Sequence, residues 1–206
     1  MKGLLYLQYK MNKRGLLINV IAIIMIGLFF MRSTGETTIP IIAFILSMGT
    51  IRGASLLKDK NTRMLVHSFP IKRRTIVTGT YVSVLFYLFM FYSLLAPFQV
   101  VKGQQQADLH NFLVLYVGFF AAIIAYAAVD LYGMFKGDPS QESTTDSLLI
   151  SFGAIFFIML PHSLLSSWEH EPSFYLRLFV FPVISIMLFY FSLQKSIRLY
   201  ETKEIM

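Results

Sequence analysis

The stretch "LVHSFPIKRRTIVTG", Leu65 to Gly79, lies between two long apolar runs and carries three consecutive cations, Lys72, Arg73 and Arg74, behind Phe69 and Pro70. A charged side chain at the centre of a bilayer costs about 2.5–3.5 kcal/mol on insertion scales, so three in a row must reach water or headgroups. The stretch is a break at a membrane surface, and the runs that flank it are spans.

Composition supports that placement. The chain has 206 residues, 56% of them hydrophobic and 16% aromatic, with a mean hydropathy of +0.63, too apolar for a soluble domain of this length. Cysteine is absent, which excludes disulfide frameworks, thiol nucleophiles and cysteine-ligated zinc. The net charge of +7 is carried by cations at the ends of apolar runs, where anionic lipid headgroups are the natural partner and nucleic acid is not.

Crossing roughly 30 Å of hydrocarbon takes about 20 helical residues. Six segments qualify, at 16–31, 37–57, 75–98, 112–135, 147–167 and 174–194. The expected fold is all-α: one integral membrane domain, 1–206, with six transmembrane helices. The first span is short and ends at Arg32, whose side chain snorkels to the interface. No small-residue cleavage site precedes Arg32, so the start reads as a span and not as a signal peptide.

Six spans put both termini on one side, and the cations choose the side. One face collects Lys2, Lys10, Lys13, Arg14, Arg52, Lys58, Lys60, Arg63, Lys72, Arg73, Arg74, Lys136, Lys195, Arg198 and Lys203, fifteen of the 18 cations. Only Arg32, Lys102 and Arg177 fall on the other. The first face is therefore cytoplasmic. Trp168, the only tryptophan, falls in the outer turn between spans five and six, as an interfacial anchor should.

Signs of catalysis are sparse. His67, His110, His162 and His170 form no HxxxH or HExxH pattern, and the adjacent residues of "EHE", Glu169 to Glu171, point in different directions on a turn. No GxSxG, P-loop or GxGxxG occurs, so the chain shows no nucleophile elbow and no nucleotide site of its own. One acid is intramembrane, Asp130 in "AAIIAYAAVDLYGMF". It is either a substrate-path or gating residue, or a group near the inner interface that pairs structurally. Ala121, Ala122, Ala125, Ala127 and Ala128 precede it and allow a neighbouring helix to approach closely, so span four is expected inside the bundle. Arg52, in "SMGTIRGASLLKDK", either snorkels to the cytoplasmic headgroups or makes a polar contact with Asp130 or a partner.

Residues 1–14, "MKGLLYLQYKMNKR", gather Leu4, Leu7 and Met11 on one side of a helical wheel and Lys2, Tyr6, Tyr9, Lys10 and Lys13 on the other. That is the pattern of a helix lying in the interface, and also of a positively charged flank that orients the first span. The inner segment 58–74, "KDKNTRMLVHSFPIKRR", is too polar to cross yet has an apolar core of Met64, Leu65, Val66, Phe69 and Ile71. Arg63 to Val66 suit a short helix that stops before Pro70. The segment is either a plain positive-inside loop or a knob that presents Met64, Leu65 and Phe69 to a groove on a soluble protein.

The opening "MKGLLYLQYK", six spans and the inner loop "KDKNTRMLVHSFPIKRRTIVTGTYV" together resemble the membrane subunits of ABC-2 type transporters. That family's loop carries an acid and basic residues, an apolar stretch, and then an "lPisRkeiV" run into span three. Here the corresponding run is "SFPIKRRTIV", Ser68 to Val77, with Phe69 in place of the leucine, a lysine–arginine pair for serine–arginine, and Thr75 where an acid is usual. The likeness in hydropathy covers the whole chain, and the motif covers about 20 residues.

The resemblance implies a permease subunit, without an ATPase site, that pairs with a second identical or similar subunit and with two cytosolic ATPase subunits. ATP and magnesium would then bind on the ATPase, and this chain would hold no cofactor. The coupling helix would fall between spans two and three, with Arg63, Met64, Leu65, Phe69, Pro70, Lys72, Arg73 and Arg74 as the residues in contact with the ATPase. Small permeases of this kind resemble exporters of phenol-soluble modulins or of antimicrobial peptides, which suggests a bacterial cell membrane and an amphipathic cargo. The alternative function is a non-transport membrane scaffold or immunity protein that docks a soluble partner through 58–74.

Overall fold

In a computed structural model, the described residues are 71–105, 109–136 and 179–202, with isolated helical positions at 13, 17, 18, 20–22, 24, 25, 28 and 153. Among them there is no strand. Three long helices stand out: α1, Arg73–Gln105; α2, Leu109–Lys136; and α3, Phe181–Thr202. They correspond to the expected spans three, four and six. Span one has its described residues in helix, with Val20 packed against the core. Span two, span five apart from the helical position 153, and residues 1–12 lie outside the described residues.

Each helix outruns its expected span. The 33 residues of α1 make a rod about 50 Å long at 1.5 Å per residue, of which Arg73–Phe98 is apolar enough to cross a membrane. In α2 the corresponding stretch is Tyr116–Lys136. The last helix runs on past Gln194 to Thr202, because Ser196, Ile197 and Tyr200 still find buried positions against its neighbours. Hydropathy alone ended that span at the first cation, Lys195.

Helix α1 begins at Arg73, after the non-helical Ile71 and Lys72. The Lys72 carbonyl accepts the Thr75 amide at 2.8 Å and the Ile76 amide at 3.3 Å, so Lys72 is the residue from which the helix starts. Farther along, Pro97 sits at an exposed position in the helix and lacks the N–H that would bond the Ser93 carbonyl. Near it, Tyr116 Oη of α2 donates to the Tyr92 carbonyl, and Tyr92 packs against the rings of Tyr116 and Phe120. A side chain from the neighbouring helix thus bonds the α1 backbone about one turn before the proline.

The buried face of α1 repeats with helical spacing at Ile76, Val77, Thr80, Tyr81, Val84, Tyr87, Leu88, Phe91, Tyr92 and Leu95. Its small hydroxyls fold back onto their own helix: Thr78, Thr80 and Ser83 donate to the carbonyls of Arg74, Ile76 and Gly79 at 2.9, 3.0 and 2.6 Å. Residues Ala121 to Ala128 of α2 are buried without a break, so the alanine-rich helix lies inside the bundle as its composition suggested. Their methyl groups leave room for α3, which packs more extensively on α2 than on α1.

Among the described residues the interior is mainly apolar but also holds Thr80, Ser83, Asp130, Ser185 and Ser196, while the outer faces of α1 and α3 carry many large apolar side chains. Along α3 the buried face includes Ser185 and Ser196, while Val183, Ile184, Ile186, Met187, Leu188, Tyr190 and Phe191 are exposed. Phe86 and Phe89 of α1 are likewise 63% and 67% exposed. A water-soluble bundle would place these residues the other way round; in hydrocarbon this order needs no further partner for the outer rings.

Candidate functional site

The helix directions bring charged ends together. Arg73 at the start of α1 reaches the end of α3, where its Nη1 donates to the carbonyls of Tyr200 and Glu201 at 3.4 and 3.3 Å. Phe135, at the end of α2, meets the Tyr200 ring edge-on with centroids 5.3 Å apart and stacks on Tyr81 of α1 at 6.1 Å. Hence α1 runs antiparallel to α2 and α3, and one end of the bundle holds the start of α1 and the ends of α2 and α3. Lys72, Arg74, Lys136, Lys195 and Arg198 are all exposed at or near it. These residues were expected on one side from charge counting, and the geometry places them together. Helices α2 and α3 run in the same direction, which fits the expectation of one span between them.

The cation triplet is divided by its helical positions. Lys72 and Arg74 are exposed, and Arg73 between them is half-buried. No acid stands in the first turn of α1, so a cation there faces the positive end of its own helix dipole. No basic residue stands in the last turn of α3. Arg73 resolves both deficits by turning to the negative end of α3, a kind of contact worth about 0.3–1 kcal/mol on a surface and up to about 2 when partly buried. The remaining carbonyls of that last turn have a local donor: Thr202 Oγ1 bonds the carbonyls of Arg198 and Leu199 at 3.0 and 3.1 Å.

Above this end a hydroxyl cluster ties all three helices. Tyr81 Oη of α1 lies 2.7 Å from Ser192 Oγ and 2.8 Å from Ser196 Oγ of α3, and Ser192 Oγ donates to the Ala128 carbonyl of α2. The Tyr81 ring also meets Phe189 edge-on at 5.1 Å. Sequence reading missed this cluster, although Ser185, Ser192 and Ser196 recur at helical spacing in an otherwise apolar run.

Asp130 is buried at 6% exposure, two residues beyond the Ala128 carbonyl, while its neighbour Val129 is 49% exposed. The carboxylate therefore belongs to the interior face of α2, on which Tyr126, one turn earlier, is 1% exposed. Of the residues assigned to a coupling surface, Lys72, Arg73 and Arg74 are placed; Arg63, Met64, Leu65, Phe69 and Pro70 lie outside the described residues, as does Arg52. Among the described residues no group of three histidine or acidic side chains converges to hold a metal.

A family model described as "ABC-2 family transporter protein" matches residues 3–201. No curated protein and no solved structure matches the chain. With nearly the whole length covered, and with helices long and apolar enough to cross a membrane, the chain belongs to the ABC-2 transporter family, as a membrane permease subunit of an ABC transporter.

Proposed function

We propose that this permease is the membrane half of an ATP-driven exporter of amphipathic peptides, driven by separate cytosolic ATPase subunits that grip residues 58–74. The observation that supports the reading is the early start of α1: only Ile71 and Lys72 separate Pro70 from its first helical residue, Arg73, and the Lys72 carbonyl already accepts the amides of Thr75 and Ile76. A displacement of the segment would be passed to a stiff rod and not absorbed by a linker. Arg63, Met64, Leu65 and Phe69 form the gripped surface, and Lys72 and Arg74 hold it at the inner headgroups.

Two such chains, or this chain and a similar one, would enclose the path, with ATP and magnesium bound on the ATPase. A cargo taken from the membrane fits the described helices, whose outer faces are apolar and among whose described residues the interior offers hydroxyls and one carboxylate, Asp130, and no file of charges suited to ions. In this arrangement Asp130 and Arg52 face the path. The protein would sit in a bacterial plasma membrane with both termini in the cytoplasm.

The test is to purify the chain with its candidate ATPase, and to compare it with Leu65→Asp and Phe69→Asp. Each substitution should abolish the complex and the stimulated ATP hydrolysis. Persistence of both in both variants would rule out the segment as the coupling element and leave the scaffold reading. Vesicles containing the intact complex should move a labelled amphipathic helical peptide in an ATP-dependent manner.

A further inference from the structure

We infer that Arg73 is a positioning residue that locks the start of α1 to the end of α3, so that a movement of residues 58–74 reaches both helices at once. The inference rests on the coupling role proposed above, and it names the part through which a second helix is engaged.

Four observations carry it. Arg73 spans 127 and 128 residues of sequence to place one nitrogen, with its two N–H groups, against the carbonyls of Tyr200 and Glu201. Those carbonyls are the ones Thr202 does not serve, and α3 has no cation of its own in its last turn. Of the three consecutive cations, only the central one is half-buried; Lys72 and Arg74 stay exposed. Beneath the contact, the rings of Tyr200, Phe135 and Tyr81 run from α3 to α2 to α1, so the lock closes a ring of three helices and does not hang on two loose ends.

The chemistry suits a permanent lock and not a switch. The two N–H groups of Nη1 are fixed in the guanidinium plane and hold both carbonyls, where an ammonium would supply a freely rotating point charge. Opposed helix ends also attract most strongly in register, because the effect fades within one turn.

The chain has no cysteine, so Thr78→Cys and Glu201→Cys can carry a pair of spin labels that report the separation of the two helix ends in lipid vesicles. With Arg73 present, a narrow separation is expected, unchanged when ATP binds to the complex. In Arg73→Ala the separated form should be populated roughly two- to fivefold more, the ratio that a helix-end charge sets, and cargo moved per ATP should fall while hydrolysis continues. Arg73→Lys should restore part of both. A separation as narrow in Arg73→Ala as in the parent, or helix ends that part on ATP binding with Arg73 in place, overturns the inference. If the parent complex moves no cargo, the exporter reading fails, and the separation measured on the permease alone still decides the lock.

Discussion

The hydroxyl of Tyr81 lies 2.8 Å from Ser196 Oγ across the contact between two helices that are 115 residues apart in sequence. The same hydroxyl lies 2.7 Å from Ser192, which in turn donates to the Ala128 carbonyl. In lipid there is no water to compete for these groups. Helix association then depends on close packing and on such bonds, more than on the burial of apolar surface.

Tyr81→Phe keeps the ring against Phe135 and Phe189 and deletes only the hydroxyl. It should lower the stability of the purified protein by about 0.6–2 kcal/mol. Ser196→Ala should lower it less, because Ser192 remains in reach of Tyr81. Thermal unfolding in detergent of both single variants and the double variant measures the coupling directly, which should be less than additive.

The alanines of α2 predict a contrast between faces. Ala127, fully buried, should not accept a leucine without about 1–3 kcal/mol of strain, because α3 packs closely against this helix. Val129→Leu, on the half-exposed face, should stay within about 0.5 kcal/mol of the parent. Folded yield and melting temperature in one detergent separate the two.

Asp130→Asn preserves size and most hydrogen bonding while it removes the charge. If Asp130 faces the export path, cargo moved per ATP should fall several-fold with melting temperature held within a few degrees. An equal loss of melting temperature and transport would assign the carboxylate to structure instead.

Sidedness is open to direct measurement in the cysteine-free background. Single cysteines at Lys72 and at Lys195, both exposed near the basic end, should react with an impermeant reagent only after cells are opened. Labelling of both in intact cells would invert the topology, and labelling of only one would contradict the shared end.

Much of this was legible in the sequence because the relevant signals are one-dimensional. The apolar runs of α1 and α2, and the grouping of Lys72, Arg74, Lys136, Lys195 and Arg198, follow from hydropathy and charge alone. The inward position of Ala121 to Ala128 followed from residue size. The separate role of Arg73 was not legible, because it depends on which helix end lies opposite, and nothing local distinguishes it from Lys72 or Arg74. The Tyr81 cluster was hidden for a related reason: serine is tolerated almost anywhere in an apolar helix, and only a partner on another helix gives it a role. The end of α3 was set too early because hydropathy registers Lys195 as a boundary, whereas the backbone continues as long as one face has something to pack on.

The length of α1 also bears on the choice of bilayer. Its apolar part, Arg73–Phe98, is 26 residues, about 39 Å of helix against roughly 30 Å of hydrocarbon. The difference is a positive hydrophobic mismatch, relieved by leaning, by a bend at Pro97 or by local thickening of the lipid, each at a fraction of a kcal/mol per Å. Acyl-chain length thereby acts on the angle at which α1 crosses its neighbours, and membranes of different thickness should hold the same bundle in measurably different postures.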